Sequence, residues 1–207
     1  MSPPRAVEFW FEFASTYSYP ASQRVAAVAR ARGTPIVWRA FLLGPVFHGQ
    51  GWDDSPFNIY PVKGRYMWRD LERICTDLDL PFRRPSQFPR GSLLAARVAC
   101  RFSSEHWIAD FVREVYRANF AEDRDISQPE VVSDCLVRAG APADRALAEA
   151  ATPEAKQALR SATEEAMQRG VFGAPSFLVG DELFWGNDRL EAALDWYAAR
   201  TRSVELS

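Results

Sequence analysis

Ser15 and Ser18 sit where an aromatic run, Phe9–Phe13 (FWFEF), gives way to a helical pattern. A hydroxyl at the start of a helix can donate to an anion, and the helix N-terminus adds positive potential. Serine is also an ordinary helix cap, and the turn alone supports both readings. Gly173-Ala174-Pro175 precedes the apolar run Ser176–Val179, and Asn187-Asp188-Arg189 opens a final helix. Those N–H groups and an Asn cap suit a carboxylate, or simply a capped surface helix. Lys63 is one of only two lysines, and a lone loop lysine is usually just solvated; Arg90, in FPRGS, carries the planar fork that grips carboxylates. Of the two histidines, His48 lies in GPVFHGQGW, while His106, beside Trp107, reads as a surface or helix-start residue.

The elements that must hold these groups are legible in outline. Residues 6–13 read as a buried strand, 18–32 as a helix closed by Gly33, and 35–42 as a second strand. Strand, helix and strand in this order make a parallel βαβ unit with a right-handed crossover. Residues 46–62, rich in Gly, Pro, Asn and Asp, read as irregular. Helices follow at about 63–79, 92–102, 105–120 and 142–150. Another is announced by Ser127-Gln128-Pro129-Glu130, read as a capping box. Thr152-Pro153-Glu154 opens a long helix ending at Gly170. Two short strands, 176–179 and 182–185, then flank Gly180-Asp181, and Asn187 caps the last helix. The ends are βαβ and αββα and the middle is helical. This predicts an α/β protein in which residues 1–43 and 151–207 share one sheet and residues 44–150 form an inserted helical domain.

Composition narrows the function. The 207-residue chain has a net charge of −2, which argues against nucleic-acid and membrane-surface partners. No stretch suits a membrane span, and no signal peptide is expected. Cys75, Cys100 and Cys135 are odd in number, lack metal-ligand or redox spacing, and read as small apolar residues within helices. A reducing, cytoplasmic setting and no metal site are expected. The aromatics Phe47, Trp52, Phe57, Tyr60, Tyr66, Trp68 and Trp107 read chiefly as core, with some available to a substrate pocket.

Three segments, FEFASTYSY, SPFNIYPVKGRYMWRDLER and GVFGAPSFLVGDELFWGNDRL, together resemble the 2-hydroxychromene-2-carboxylate isomerase family, relatives of kappa-class glutathione transferases and DsbA-like oxidoreductases. The resemblance runs over about residues 6–200 and implies a thioredoxin-like fold with a helical insertion. In redox members of that fold a Cys-x-x-Cys occupies the first strand-to-helix turn. Here Ser15 and Ser18 stand there, which excludes disulfide exchange but leaves a place to stabilise the thiolate of a bound ligand.

The resemblance implies that this ligand is glutathione. Ser15 would be catalytic, donating to the sulfur. Pro175 would be cis, turning the Ala174 backbone toward the cysteinyl part. Asn187 and Asp188 would receive the γ-glutamyl group, with Asn58 and Lys63 facing glutathione, and His48 and Arg90 would meet an aromatic keto-acid substrate. The implied reaction is the glutathione-dependent cis–trans isomerisation linking 2-hydroxychromene-2-carboxylate and trans-o-hydroxybenzylidenepyruvate, in a homodimeric enzyme of aromatic catabolism. A kappa-like transferase and a glutathione-binding relative without isomerase activity are the alternatives. Four positions depart from the family pattern: His48 for lysine, Gly91 for asparagine, Thr16 for proline and Glu12 for aspartate. The first two leave the exact substrate open.

Overall fold

A computed structural model describes residues 4–205. Four strands, β1 (Val7–Phe11), β2 (Ile36–Ala40), β3 (Ser176–Val179) and β4 (Glu182–Trp185), form one sheet in the order β2-β1-β3-β4. β1 runs parallel to β2 and antiparallel to β3, and β3 and β4 form a hairpin. Helix α1 (Ser18–Ala31) makes the crossover from β1 to β2. It closes where the Gly33 N–H reaches the Arg30 carbonyl at 3.1 Å, with Gly33 at φ +64°. This is the expected thioredoxin-like arrangement, with the C-terminal strands added to the same sheet.

Between β2 and β3 lie α2 (Leu43–Gly49), α3 (Pro56–Ile59), α4 (Pro61–Asp77), α5 (Leu93–Arg101), α6 (Ile108–Phe120), α7 (Pro129–Arg138), α8 (Ala143–Ala150) and α9 (Pro153–Gln168). A short 3-10 turn, Asn187–Arg189, leads into α10 (Leu190–Glu205). The segment 46–62, expected to be irregular, is thus partly helical. Its first helix is fixed by burying Val46 beside Trp10 and Phe41, which overrides the poor helix propensity of its glycines and proline. Two expected caps are also absent. Gln128, not Ser127, precedes α7, and the Ser127 N–H bonds Asp125 Oδ1 at 3.0 Å. Gly186, at φ +121°, occupies the cap position before the last helix, and Asn187 lies inside the 3-10 turn.

The sheet is buried on both faces. Val7, Phe9 and Phe11 face the larger core, where Phe9 stacks on Phe177 at 5.3 Å and meets Trp38 edge-on at 5.4 Å. Tyr116 and Phe111 of α6 complete that layer. Trp10 points the other way, toward Phe41, Val46 and Ala166 of α9. The three cysteines are free thiols, and burial pushes Cys75 and Cys135 up to about 12, so they act as packing groups. Among the described residues no helix is long and apolar enough to cross a membrane.

Candidate active site

β1 delivers the chain to Glu12 and Phe13, whose carbonyls lie beyond the sheet ladder and need other donors. Helix α6 supplies both. The Tyr116 hydroxyl donates to the Glu12 carbonyl at 2.7 Å, and the Asn119 amide donates to the Phe13 carbonyl at 3.1 Å. The turn then closes on itself. Ser15 N–H donates to the Glu12 carbonyl at 2.9 Å, and Ala14 N–H donates to Glu12 Oε2 at 2.9 Å. Thr16 is anchored by its hydroxyl on the Met67 sulfur of α4 at 3.1 Å. Five bonds therefore fix the geometry at which α1 begins.

Ser15 does not cap that helix. The cap position falls on Tyr17 and receives no side-chain bond. The Ser15 hydroxyl instead donates to the Ala174 carbonyl at 2.8 Å, while the buried Ser18 hydroxyl donates to Ser15 Oγ at 3.0 Å. The Ala174–Pro175 peptide is cis, as expected. Among the described residues the Ala174 N–H meets no acceptor, although its carbonyl is engaged. An unpaired backbone donor beside a hydroxyl, at an uncapped helix start, is the local arrangement that an extended peptide carrying a thiol would complete.

Both groups line a cleft of about 1300 Å³ between the sheet end, α2–α4 and the loop before α5. Asn187, Asp188 and Lys63 also line it. Asn187 Oδ1 accepts from Arg24 Nε at 3.3 Å and its carbonyl accepts from Arg24 Nη2 at 3.1 Å. Asp188 is exposed, and the Lys63 ammonium sits 4.8 Å above the Tyr60 ring.

Three expected site residues, Asn58, His48 and Arg90, face solvent or are engaged by other protein groups in this structure. Asn58 is exposed, bonds Asp54 through its amide at 3.1 Å, and is not part of the cleft wall. His48 lies on the solvent face of α2, with 84% of its side chain exposed, and Phe47, Gln50 and Trp52 line the cleft instead. Arg90 reaches the wall but is buried, and its fork is already occupied. Nη1 donates to the Asn119 side chain at 3.2 Å and the Arg124 carbonyl at 2.8 Å, while Nη2 bonds the Asp123 carboxylate and the Ser86 hydroxyl. Of the aromatics, Phe47, Trp52, Phe57 and Tyr66 line the cleft, whereas Trp68 and Trp107 are core.

Glu12 is the site residue whose importance the sequence did not convey. Its carboxyl is buried in the cleft wall, where it accepts from the Ser92 hydroxyl as well as from Ala14 N–H. Burial pushes its pKa up to about 7 against the lowering effect of those bonds. The available signal was a second glutamate, four residues after Glu8, in the otherwise apolar run VEFWFEFA.

Fold and site together define a thioredoxin-fold protein with hydroxyls, not paired sulfurs, at its first strand-to-helix turn. A DSBA-like thioredoxin domain model matches residues 6–198, and the chain belongs to that family. It is 29% identical over 188 residues to a 2-hydroxychromene-2-carboxylate isomerase of Sphingobium xenophagum, covering 90% of this chain and 95% of that one. It is 27% identical over 202 residues to human glutathione S-transferase kappa 1, covering 91% and 88%. A solved 2-hydroxychromene-2-carboxylate isomerase superposes with a TM-score of 0.83 at 28% identity, over 98% of this chain and 99% of the other.

Proposed function

We propose that this protein is a glutathione-dependent cis–trans isomerase that interconverts 2-hydroxychromene-2-carboxylate and trans-o-hydroxybenzylidenepyruvate, or a close aromatic keto-acid analogue. The observation that carries this reading is the Ser15 hydroxyl, 2.8 Å from the Ala174 carbonyl at an uncapped helix start. The similarity to isomerases over nearly the whole chain supports it. Glutathione, when bound, supplies a nucleophilic sulfur that adds reversibly to a conjugated carbon–carbon double bond, so that the bond can rotate before the sulfur leaves.

The protein's part follows from its own groups. The Ala174 N–H and carbonyl offer an extended peptide a donor and an acceptor. Ser15 must then release that carbonyl and aim its hydroxyl at the sulfur. Ser18, which already donates to Ser15 Oγ, leaves the Ser15 proton free for that bond and polarises it. The start of α1 adds its positive potential. In this reading Asp188, which pairs with Arg189 at 3.0 Å, takes the ammonium of the peptide and Lys63 a carboxylate. The apolar cleft beyond them excludes water and holds the reacting double bond close. A homodimer in a cytoplasmic setting belongs to this reading through the family resemblance.

A kappa-like glutathione transferase is the second reading, favoured by the likeness to human glutathione S-transferase kappa 1. It would use the same hydroxyl on an electrophile that keeps the sulfur. The test is to follow a cis-configured aromatic enone with the protein, with and without glutathione, beside Ser15→Ala. Isomerisation that requires both glutathione and Ser15, with glutathione unchanged at the end, is expected. Consumption of glutathione into a stable adduct would support the transferase, and loss of neither activity in Ser15→Ala would remove Ser15 from both.

A further inference from the structure

Glu12 is tied by its backbone and by its side chain to the turn that presents Ser15. Its carbonyl accepts from the Ser15 N–H at 2.9 Å, and its carboxyl accepts from the Ala14 N–H at 2.9 Å. The second carboxyl oxygen accepts from the Ser92 hydroxyl, and Glu12 and Ser92 both line the cleft. Arg90, on the same wall, is paired with Asp123, and the Tyr116 hydroxyl of α6 is turned to the Glu12 carbonyl. Burial raises the Tyr116 pKa well above its ordinary value, so that phenol keeps its own proton.

The other acids of the cleft wall are placed differently. Asp70 pairs with Arg73 and Asp188 with Arg189, while Asp53 and Asp54 are exposed. Among the described residues lining the cleft, Glu12 is thus the acid that is both buried and without a cation, and burial pushes it up to about 7. A thiol held at a helix start loses its proton in a neighbouring range. A thiolate and a carboxylate on one short turn repel each other, so the pair retains one proton between them.

Resting on the glutathione-dependent reading, we infer that Glu12 takes the thiol proton of bound glutathione and returns it when glutathione leaves. The S–H bond breaks with its electron pair left on sulfur, and the carboxylate becomes a carboxylic acid. Activation then leaves the charge of the site unchanged. One negative charge moves from the buried carboxyl to the sulfur, where the Ser15 hydroxyl and the start of α1 stabilise it.

The test counts the protons released when glutathione binds the full chain, by calorimetry in buffers of different ionisation heat, with the thiolate followed by its ultraviolet absorbance. At about pH 8, above the carboxyl's value of about 7, wild type should form thiolate and release almost no proton. Glu12→Gln keeps an acceptor for the Ala14 N–H but cannot take a proton, and it should release about half a proton more, or greater. Near about pH 6 the carboxyl already holds its proton, and the two proteins should release alike. S-methylglutathione has no thiol proton and should give no such difference at either pH. Ser92→Ala removes a bond that lowers the Glu12 pKa, so the pH at which release falls away should move up from about 7. Equal release from wild type and Glu12→Gln at the higher pH overturns the inference. So does an unmoved midpoint in Ser92→Ala, or an equal difference with S-methylglutathione, which would trace the protonation to covering of the cleft. Glutathione that fails to bind at all would instead end the proposed function, and this inference with it.

Discussion

The Ser15 hydroxyl donates to the Ala174 carbonyl across 159 residues of sequence, so the two ends of the chain meet in one hydrogen bond at the cleft. That bond joins the first strand-to-helix turn to the segment entering β3, and both are held by a shared sheet. Replacing Ser15 by alanine removes the donor and leaves the Ala174 carbonyl facing the cleft. A bond to a charged sulfur is worth about 1.5–3 kcal/mol, so turnover should fall by about 10- to 100-fold with folding little changed. Thermal unfolding and initial rates on the same preparation check both halves of this prediction.

Ser15→Cys should create a reactive thiol where none exists now. The helix start lowers the pKa of a sulfur placed there, whereas burial holds Cys75 and Cys135 at about 12. Iodoacetamide should label the new cysteine first, and mass spectrometry identifies the site. Labelling of Cys75 or Cys135 at an equal rate would contradict the electrostatic account of this turn.

Glu12 makes stability depend on pH in a defined direction. Its folded pKa, raised from 4.5 to about 7, means that the folded protein keeps a proton that the unfolded chain releases. This contribution is complete below pH 4.5 and is lost as pH rises through about 7. The full swing is at most about 3 kcal/mol. Glu12→Gln should flatten the stability profile across that window while keeping an acceptor for Ala14 N–H. Denaturant melts over the pH range, wild type beside variant, measure it.

Arg90 is expected to act on stability. It ties the loop at 86–90 to residues 119–124, and the Ser86 N–H together with Arg90 holds Asp123 at about 2. Arg90→Met leaves the buried Asn119 acceptor without its donor, and we expect a loss of about 1–3 kcal/mol. Because Asp123 stays charged down to about pH 2, wild type should keep this clamp through mild acid. His48→Ala, by contrast, should change neither stability nor turnover measurably, since the side chain faces solvent.

Two glycines should separate a tight contact from a tolerant one. A Cβ at Gly64 would lie 2.3 Å from the Phe57 carbonyl oxygen, so Gly64→Ala must push α3 away from α4. Overpacking of this kind costs about 1–3 kcal/mol, and glutathione binding should weaken with it because Lys63 is adjacent. A Cβ at Gly91 would meet Ser127 Cβ at 3.5 Å, an ordinary contact, so Gly91→Asn should fold normally. Chemical denaturation of the two variants makes the comparison.

The strands were legible because buried runs such as Val7–Phe11 and Ser176–Val179 are almost wholly apolar. The helix at Leu43–Gly49 was not, because a distant contact with Trp10 decides it. Ser15, Ala174 and Pro175 were readable from their motifs, and the structure brings them together. The partners of Arg90 were not legible because an arginine's fork says nothing of which acceptors will claim it. Its partners Asn119 and Asp123 lie about 30 residues away in sequence. The placement of Asn58 and His48 was not legible for a related reason. Each sits on the right element, but helix phase turns its side chain away from the cleft.

The measurement closest to the central claim is the ultraviolet absorbance of a thiolate when glutathione is titrated into wild type and Ser15→Ala near neutral pH. A thiolate band that appears on binding to wild type, and is reduced or lost in a variant that still binds glutathione, is the predicted result. An equal band in both proteins, or none in wild type despite binding, would contradict the account.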